Sequence, residues 1–566
     1  MTDPVAAIEA TIAADHAYAD PALWITRVPD AALRERARAL AAEGPGGRPL
    51  WGVPVAVKDN IDVAGLPTTA ACPDYEYTPT EDAPAVARLV AAGAIVVGKA
   101  NLDQFATGLV GVRSPYGTPR NAHSPAHVPG GSSSGSAVAV AAGIVPISLG
   151  TDTAGSGRVP AMFGNIVGLK PTIGSVSARG MVPACRSIDT ISVFAATADA
   201  ALAGARVITG YDAADPYSRP APFDHLRRAA LPQGLRLGIA DIASLVEPGV
   251  ARAYAAAAAP FATETVDLAP FLEIARLLYE GPWVAERTAA LREIVTNRPE
   301  ALHPTTRAIV EAGFARNAVD AFDAFHKLAA ARRVAADLFR RIDALLLPTA
   351  PLTPTLADLD HDPIGPNSRL GTFTNFVNLC DLAAFAVPAG FAPDGLPLSV
   401  TVLGPAWSEG RIAAIADAIH RAHADRIGAT AAPLPPPAAP DPLAPDETAL
   451  FCIGAHMAGL PLNHQIATRG GRFLREAATA PDYRLYALGN RPGLVRATPG
   501  AAIAGEVWAL PTAAIGPLLA EVPPPLGFGT VTLADGPCLG FLAESAGIAG
   551  AGDITGTGGW RAYLAS

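Results

Sequence analysis

Three short stretches hold residue types that could do chemistry together. PVAVKDN (54–60) sets Lys58 at the end of an apolar run, PGGSSSGS (129–136) places four serines among glycines, and GTDTAGSGR (150–158) contains Ser156. A lysine flanked by Val55, Ala56 and Val57 loses hydration, which favours the neutral amine that can accept a proton. A serine hydroxyl needs such a base to become a nucleophile. A second serine can pass the proton along, because a hydroxyl both donates and accepts. Glycines beside the serines let backbone N–H groups approach a developing oxyanion. Taken singly, a strand-end lysine and two glycine–serine turns need no explanation; all three in one chain call for one.

Other readings of the serine clusters fare less well. They lie between strongly apolar runs, where a flexible linker has no place. A phosphate loop of the G-x-x-x-x-G-K-[ST] type needs a lysine that this stretch lacks. GSSSG (131–135) matches the nucleophile elbow G-x-S-x-G with Ser133 at its centre, but that match is short and common by chance in such text.

The elements that must position these residues follow from local pattern. VPVAVKDNIDV (53–63) reads as a strand running into a turn, APAVARLVAAG (83–93) as a helix with a glycine stop, and AIVVGKANL (94–102) as a strand and turn. SAVAVAAGI (136–144) is small and apolar, and VPISLGTDT (145–153) is extended. This alternation predicts an α/β domain with a mixed central sheet flanked by helices. FLEIARLLYEG, WVAERTAALREIV and AFDAFHKLAAARRVAADLF, within residues 270–340, read as amphipathic helices, and LLLPTAP (345–351) returns to strand. Residues 433–445, PLPPPAAPDPLAP, can be neither helix nor central strand and read as a semi-rigid spacer. The expected domains are therefore residues 1–430, a Pro-rich linker 431–446, and a C-terminal unit 447–566.

Bulk properties bound the function. The 566 residues carry 42 basic and 52 acidic side chains, a net charge of −10, which offers no basic excess for nucleic acid or an anionic membrane. No apolar stretch reaches the roughly 18 residues of a membrane span, and MTDPVAAIEA does not read as a signal peptide. Cys72, Cys185, Cys380, Cys452 and Cys538 lie far apart and form no C-x-x-C pair, so buried free thiols and a cytoplasmic location are expected.

GTDTAGSGRVPAMFGNIVGLKPT (150–172) together with PGGSSSGSA resembles the amidase-signature family, over about residues 20–425. The resemblance implies an amidase-signature fold and a Ser–cis-Ser–Lys triad. In it Ser156 is the nucleophile, Ser132 the bridging serine after a cis peptide bond, and Lys58 the base. The spacings of 24 residues from Ser132 to Ser156 and 74 from Lys58 to Ser132 fit the family pattern. Backbone N–H groups of Thr153, Ala154, Gly155 and Ser156 are the implied oxyanion donors, and neither a metal nor an organic cofactor is implied.

YEGPWVAERTAAL (279–291) resembles the substrate-recognition segment of the allophanate hydrolases within that family, with Tyr279 and Arg287 holding the substrate. Guanidinium suits a carboxylate bidentately, and allophanate is a urea-like amide bearing one. The plainer reading makes Arg287 a surface helix residue near Glu286 or Glu293. LVGVRSPYG (109–117) and VPACRSIDTISVFA (182–195) resemble the same subgroup. LFCIGAHMAGLPLNHQI (450–466) and ITGTGGWRAYL (554–564) resemble its small β-rich C-terminal domain, similar to γ-glutamylcyclotransferase-like folds. The resemblance implies that this domain decarboxylates the first product; His456 in GAHM is the candidate acid–base residue there, with Asn463 as a candidate helper. A turn-packing or capping role for His456, and a purely assembly role for the domain, stay open. The resemblance also implies a homodimer and a functional partner, a biotin-dependent urea carboxylase that makes allophanate. Alternatives are a malonamate- or biuret-type amidase, an amidotransferase component that works on charged tRNA (which usually lacks a tail), and an inactive binding protein.

Overall fold

The structure, a computed structural model, describes residues 3–566. The first eleven strands are β1 (Trp24–Arg27), β2 (Pro54–Lys58), β3 (Ile95–Ala100), β4 (Ile147–Asp152), β5 (Val167–Lys170), β6 (Thr190–Ala195), β7 (Arg236–Ile239), β8 (Ala262–Thr265), β9 (Ala344–Pro348), β10 (Leu382–Phe391) and β11 (Pro397–Pro405). They form one mixed sheet in the order β1-β3-β2-β4-β6-β5-β10-β11-β9-β7-β8. β2 runs parallel to both β3 and β4, so Lys58 and Asp152 end neighbouring strands at the same side of the sheet. Every residue of β2 and β4 is buried, and their largely apolar character is what a strand covered on both faces requires.

The helix Ser134–Ala141 is buried along its whole length. Its small residues allow that: a side chain at Gly135 would collide with the backbone of Leu23 and Asn101. The serine cluster is therefore the N-terminal approach to a core helix, and the peptide bond between Gly131 and Ser132 is cis.

The stretch 269–297 is broken more finely than its amphipathic pattern predicts. One helix, Ala269–Glu280, ends at Gly281–Pro282, and two short helices follow, Trp283–Ala290 and Arg292–Asn297. Tyr279 thus closes one helix while Arg287 lies in the next.

The Pro-rich segment is extended but not free. Arg421 donates to the Pro435 carbonyl (2.7 Å), the Ala438 N–H donates to Asp199 (2.8 Å), and Arg472 donates to the carbonyls of Asp441 and Pro442. Beyond it come β12 (Glu447–Cys452), β13 (Arg472–Ala478), β14 (Tyr483–Ala487), β15 (Pro492–Arg496), β16 (Ala504–Pro511), β17 (Leu526–Leu533), β18 (Gly536–Ala543) and β19 (Gly552–Asp553). They make a five-stranded sheet, β13-β16-β12-β18-β17, and a three-stranded one, β15-β14-β19. These strands enclose a core of their own around Phe451, Leu485, Trp508 and Trp560. Among the described residues, no helix is long and apolar enough to cross a membrane.

Candidate active site and a second cavity

Lys58 Nζ donates to Ser132 Oγ (2.8 Å) and to Thr151 Oγ1 on the adjacent β4 (2.7 Å). Burial pulls its pKa down to about 7; the carboxylates of Asp103, Asp152 and Asp189 oppose that fall, and Arg287 adds to it. Near neutral pH the amine is therefore poised to hold or yield a proton. Ser133, the centre of the elbow match, is spent on β4: its hydroxyl donates to the Thr151 carbonyl (3.2 Å).

Asp103 shapes the Ser132 turn from beneath. Its N–H donates to the Ser132 carbonyl (3.0 Å), and its carboxylate accepts from the N–H groups of Gly111 and Arg113 (2.9 Å each). A Cβ at Gly131 would overlap both that carboxylate and the Gly111 backbone, so this position accepts only glycine.

Ser156 is buried in the loop that leaves β4. Asp152 ties this loop down by accepting from Gly155 N–H (3.1 Å), Gly157 N–H (2.9 Å) and, twice, from Arg158 (2.9 and 3.0 Å). The Gly155 N–H expected to face an oxyanion thus already has an acceptor, which leaves Thr153, Ala154 and Ser156 as candidate donors. Thr374 Oγ1 donates to the Ala154 carbonyl (2.6 Å), and Asn378 donates to the Asp152 carbonyl (2.9 Å). Gly155 has φ +126°, and a side chain there would strike Thr374. Asp189 accepts from the Thr153 hydroxyl and from the N–H groups of Ala184 and Cys185; burial pushes its pKa up to about 6.

Arg287 is 2% exposed, which removes the surface reading. Its Nη1 donates to Thr107 Oγ1 (2.7 Å) and, at 3.4 Å, to the carbonyls of Phe105 and Ala106. Phe105 and Ala106 both hold left-handed backbone, φ +50° and +52°, a costly conformation for side-chain-bearing residues that turns their carbonyls to the guanidinium. The guanidinium lies 5.7 Å from the centre of the Tyr279 ring, whose buried hydroxyl has no partner. Glu286 is occupied elsewhere, accepting from the Ser187 N–H (2.8 Å) and hydroxyl (2.7 Å). A second buried arginine, Arg113, donates to the carbonyls of Thr107 and Pro363 (2.8 Å each).

Asp103, Thr107, Asp189 and Thr374 do not stand out in the sequence. Asp103 and Thr107 share one segment, Asp189 and Thr374 come from two others, and nothing in their local pattern distinguishes them from ordinary polar residues. Asp152 and Arg158 lie inside GTDTAGSGR itself; an acid and a base six residues apart around a glycine-rich turn are a signal available there, and they form a fully buried ion pair.

In the C-terminal unit, His456 lines a cavity of about 700 Å³. Its ring stacks on Phe541 (4.7 Å between centres), its Nε2 lies 2.8 Å from Gln465 Oε1, and its carbonyl accepts from Asn463 (2.7 Å). Asn463 thus supports the backbone of His456. No group of three or more side chains suited to a metal ion occurs among the described residues.

Residues 6–413 match the family model described as Amidase, and residues 448–565 match the Allophanate hydrolase C-terminal domain. The chain is 42% identical to urea amidolyase of Lachancea kluyveri over 96% of its own length, and spans 31% of that protein. Its identity to the urea amidolyase of Saccharomyces cerevisiae is also 42%, with the same shares of the two chains covered. The chain thus spans about a third of the length of the urea amidolyases it matches. Among solved structures it is similar to Kluyveromyces lactis allophanate hydrolase, with a TM-score of 0.77 and 40% identity, covering 100% of this chain and 97% of that one.

Proposed function

The chain belongs to the amidase family and carries an allophanate hydrolase C-terminal domain, and from that premise we propose that it degrades allophanate in two steps. In the first, Ser156 Oγ attacks the carboxamide carbon while its proton passes through Ser132 to Lys58. The C–N bond breaks, the proton goes to the leaving nitrogen, and ammonia departs. Water, activated by the same relay, then releases N-carboxycarbamate from Ser156. Backbone N–H groups of Thr153, Ala154 and Ser156 stabilise the oxyanion.

The substrate assignment rests on Arg287. It is buried and bears on the charge state of Lys58, yet its partners are a hydroxyl and two carbonyls, with no carboxylate. The carboxylates of Asp189 and Glu286 favour its charge from a distance, but neither meets its donors, which leaves room for a carboxylate in direct contact. The carboxylate of allophanate supplies it, with the Tyr279 hydroxyl as a second contact.

In the second step, the C-terminal unit accelerates loss of carbon dioxide from N-carboxycarbamate. A proton from His456 reaches the bridging nitrogen as the C–N bond breaks, leaving carbamate, which decays to ammonia and carbon dioxide. A urea carboxylase supplying allophanate is the proposed functional partner, in the cytoplasm, where the five unpaired cysteines stay reduced. We also infer a homodimer; Phe314, Val319, Phe322 and Phe325 offer an exposed apolar face for it.

The test is ammonia release from allophanate, malonamate and biuret by the wild type and Arg287→Ala. Allophanate should lead, and Arg287→Ala should remove that lead. Equal cleavage of all three, unchanged by the substitution, would leave an amidase of different specificity.

A further inference from the structure

Eight of the described residues other than glycine hold left-handed backbone, and four of them sit in two loops that touch: Ala70 and Ala71 (φ +50° and +59°) in one, Phe105 and Ala106 in the other. Such strain persists only where the surroundings over-determine it. The carbonyls of the second loop hold Arg287. The first loop sets the second in place, because the Phe105 N–H donates to the Ala70 carbonyl (2.9 Å). Ala70 is in turn fixed by Asp59, the residue directly after Lys58. Asp59 Oδ2 accepts from the Thr69 N–H (2.9 Å) and the Thr69 hydroxyl (2.6 Å), and that hydroxyl accepts from the Ala71 N–H (3.1 Å).

Asp59 is anchored on the sheet. Its N–H donates to the Ala100 carbonyl at the end of β3 (3.0 Å). Lys99, also on β3, places Nζ 3.6 Å from Asp59 Oδ1, and both side chains are fully buried. Oδ1 has no hydrogen bond, so the Lys99 ammonium is the charge that faces it. Lys99 spends its other donors on the Pro67 carbonyl (3.0 Å) and Thr68 Oγ1 (2.9 Å). A buried ion pair needs no such loop to exist, yet both partners aim their hydrogen bonds into residues 67–69.

We propose that Asp59 is a positioning residue for substrate choice: through Thr69 and the Ala70 carbonyl it sets the Phe105 and Ala106 carbonyls that aim Arg287. This rests on the reading of Arg287 as the carboxylate clamp. The residue beside the base then fixes where the substrate's carboxylate is held. The separation between Lys58 and the guanidinium is thereby built into the fold, and a substrate whose amide carbon and carboxylate match it is placed for attack.

The experiment is a double-mutant cycle on kcat and KM for allophanate, measured with enzyme in excess where turnover is slow. Thr69→Val removes the hydroxyl at nearly constant shape. It should lower kcat/KM roughly tenfold, mostly through KM, and Thr69→Ser should restore it. In an Arg287→Ala background, Thr69→Val should cost nothing more, because its path ends at the missing guanidinium. Asp59→Asn should follow the same pattern with a larger loss; should it fail to fold, because Lys99 is left uncompensated, Thr69→Val carries the test alone. A Thr69→Val enzyme with the wild-type KM, or one whose loss persists undiminished without Arg287, overturns the positioning role and leaves the clamp standing. Arg287→Ala that turns over allophanate like the wild type overturns the clamp, and the proposal with it.

Discussion

Lys58 and His456 are both titratable groups whose charged forms burial disfavours, but their surroundings are built in opposite ways. Lys58 sits at the end of a central strand with both hydrogen bonds to fixed hydroxyls, and the loops around it are tied down by Asp103, Asp152 and Asp189. His456 is half-buried at the wall of a largely apolar cavity and has one side-chain hydrogen-bond partner. The first arrangement suits bond-making, in which an oxyanion must find its donors already in place. The second suits a bond-breaking step that needs little more than a proton and a dry surround. Under the proposed mechanism, the fixed hydrogen bonds are concentrated around the attacking serine.

The largest predicted effect strikes the rigid site alone. Ser156→Ala should lower ammonia release from allophanate by at least about 10³, beyond the ~10²–10³ typical of losing a single oxyanion donor. It should leave the C-terminal cavity unaffected. Gly131→Ala should be nearly as severe, since the new methyl group displaces Asp103 and with it the Ser132 turn. Circular dichroism and thermal melting would show whether the loss is confined to the site.

These two positions also mark how much of the molecule is legible in the sequence. Glycine is required where backbone passes backbone, so the glycines flanking Ser132 and Ser156 write the site into a readable motif. β2, β3 and β4 are equally legible, because strands buried on both faces are rich in apolar runs. Asp103 and Asp189 are not, because a carboxylate satisfied by backbone N–H groups leaves no periodic or spaced trace. The break at Gly281–Pro282 is legible, since FLEIARLLYEG and WVAERTAALREIV already read as separate helices with Tyr279 in one and Arg287 in the next; the second break, after Ala290, is not. Composition predicts an extended Pro-rich strap. Its attachment to Asp199, Arg421 and Arg472 depends on tertiary contacts that composition does not encode.

A smaller effect concerns Thr107, the hydroxyl that aims Arg287. Thr107→Val removes a hydrogen bond to a charged group worth about 1.5–3 kcal/mol, so kcat/KM for allophanate should fall roughly 10- to 100-fold. Its effect on a substrate without a carboxylate should be much weaker. Equal losses on both would show that Thr107 serves the loop and not the clamp.

The pH dependence sharpens the contrast further. Lys58 must be neutral to accept a proton, and its pKa lies near 7, below that of an ordinary lysine. For the first step, kcat/KM should therefore fall as pH drops below about 7 and level off above it. The proposed second step draws its proton from His456, so its rate should fall as pH rises. Measured separately, the two limbs should slope in opposite directions.

Two sites performing two steps are tested most directly by a ¹³C NMR time course with doubly labelled allophanate, comparing wild type, Ser156→Ala and His456→Ala. Ser156→Ala should leave allophanate intact, whereas His456→Ala should consume it at the wild-type rate while N-carboxycarbamate builds up. If His456→Ala shows no build-up and releases carbon dioxide as fast as the wild type, the C-terminal cavity has no part in the reaction.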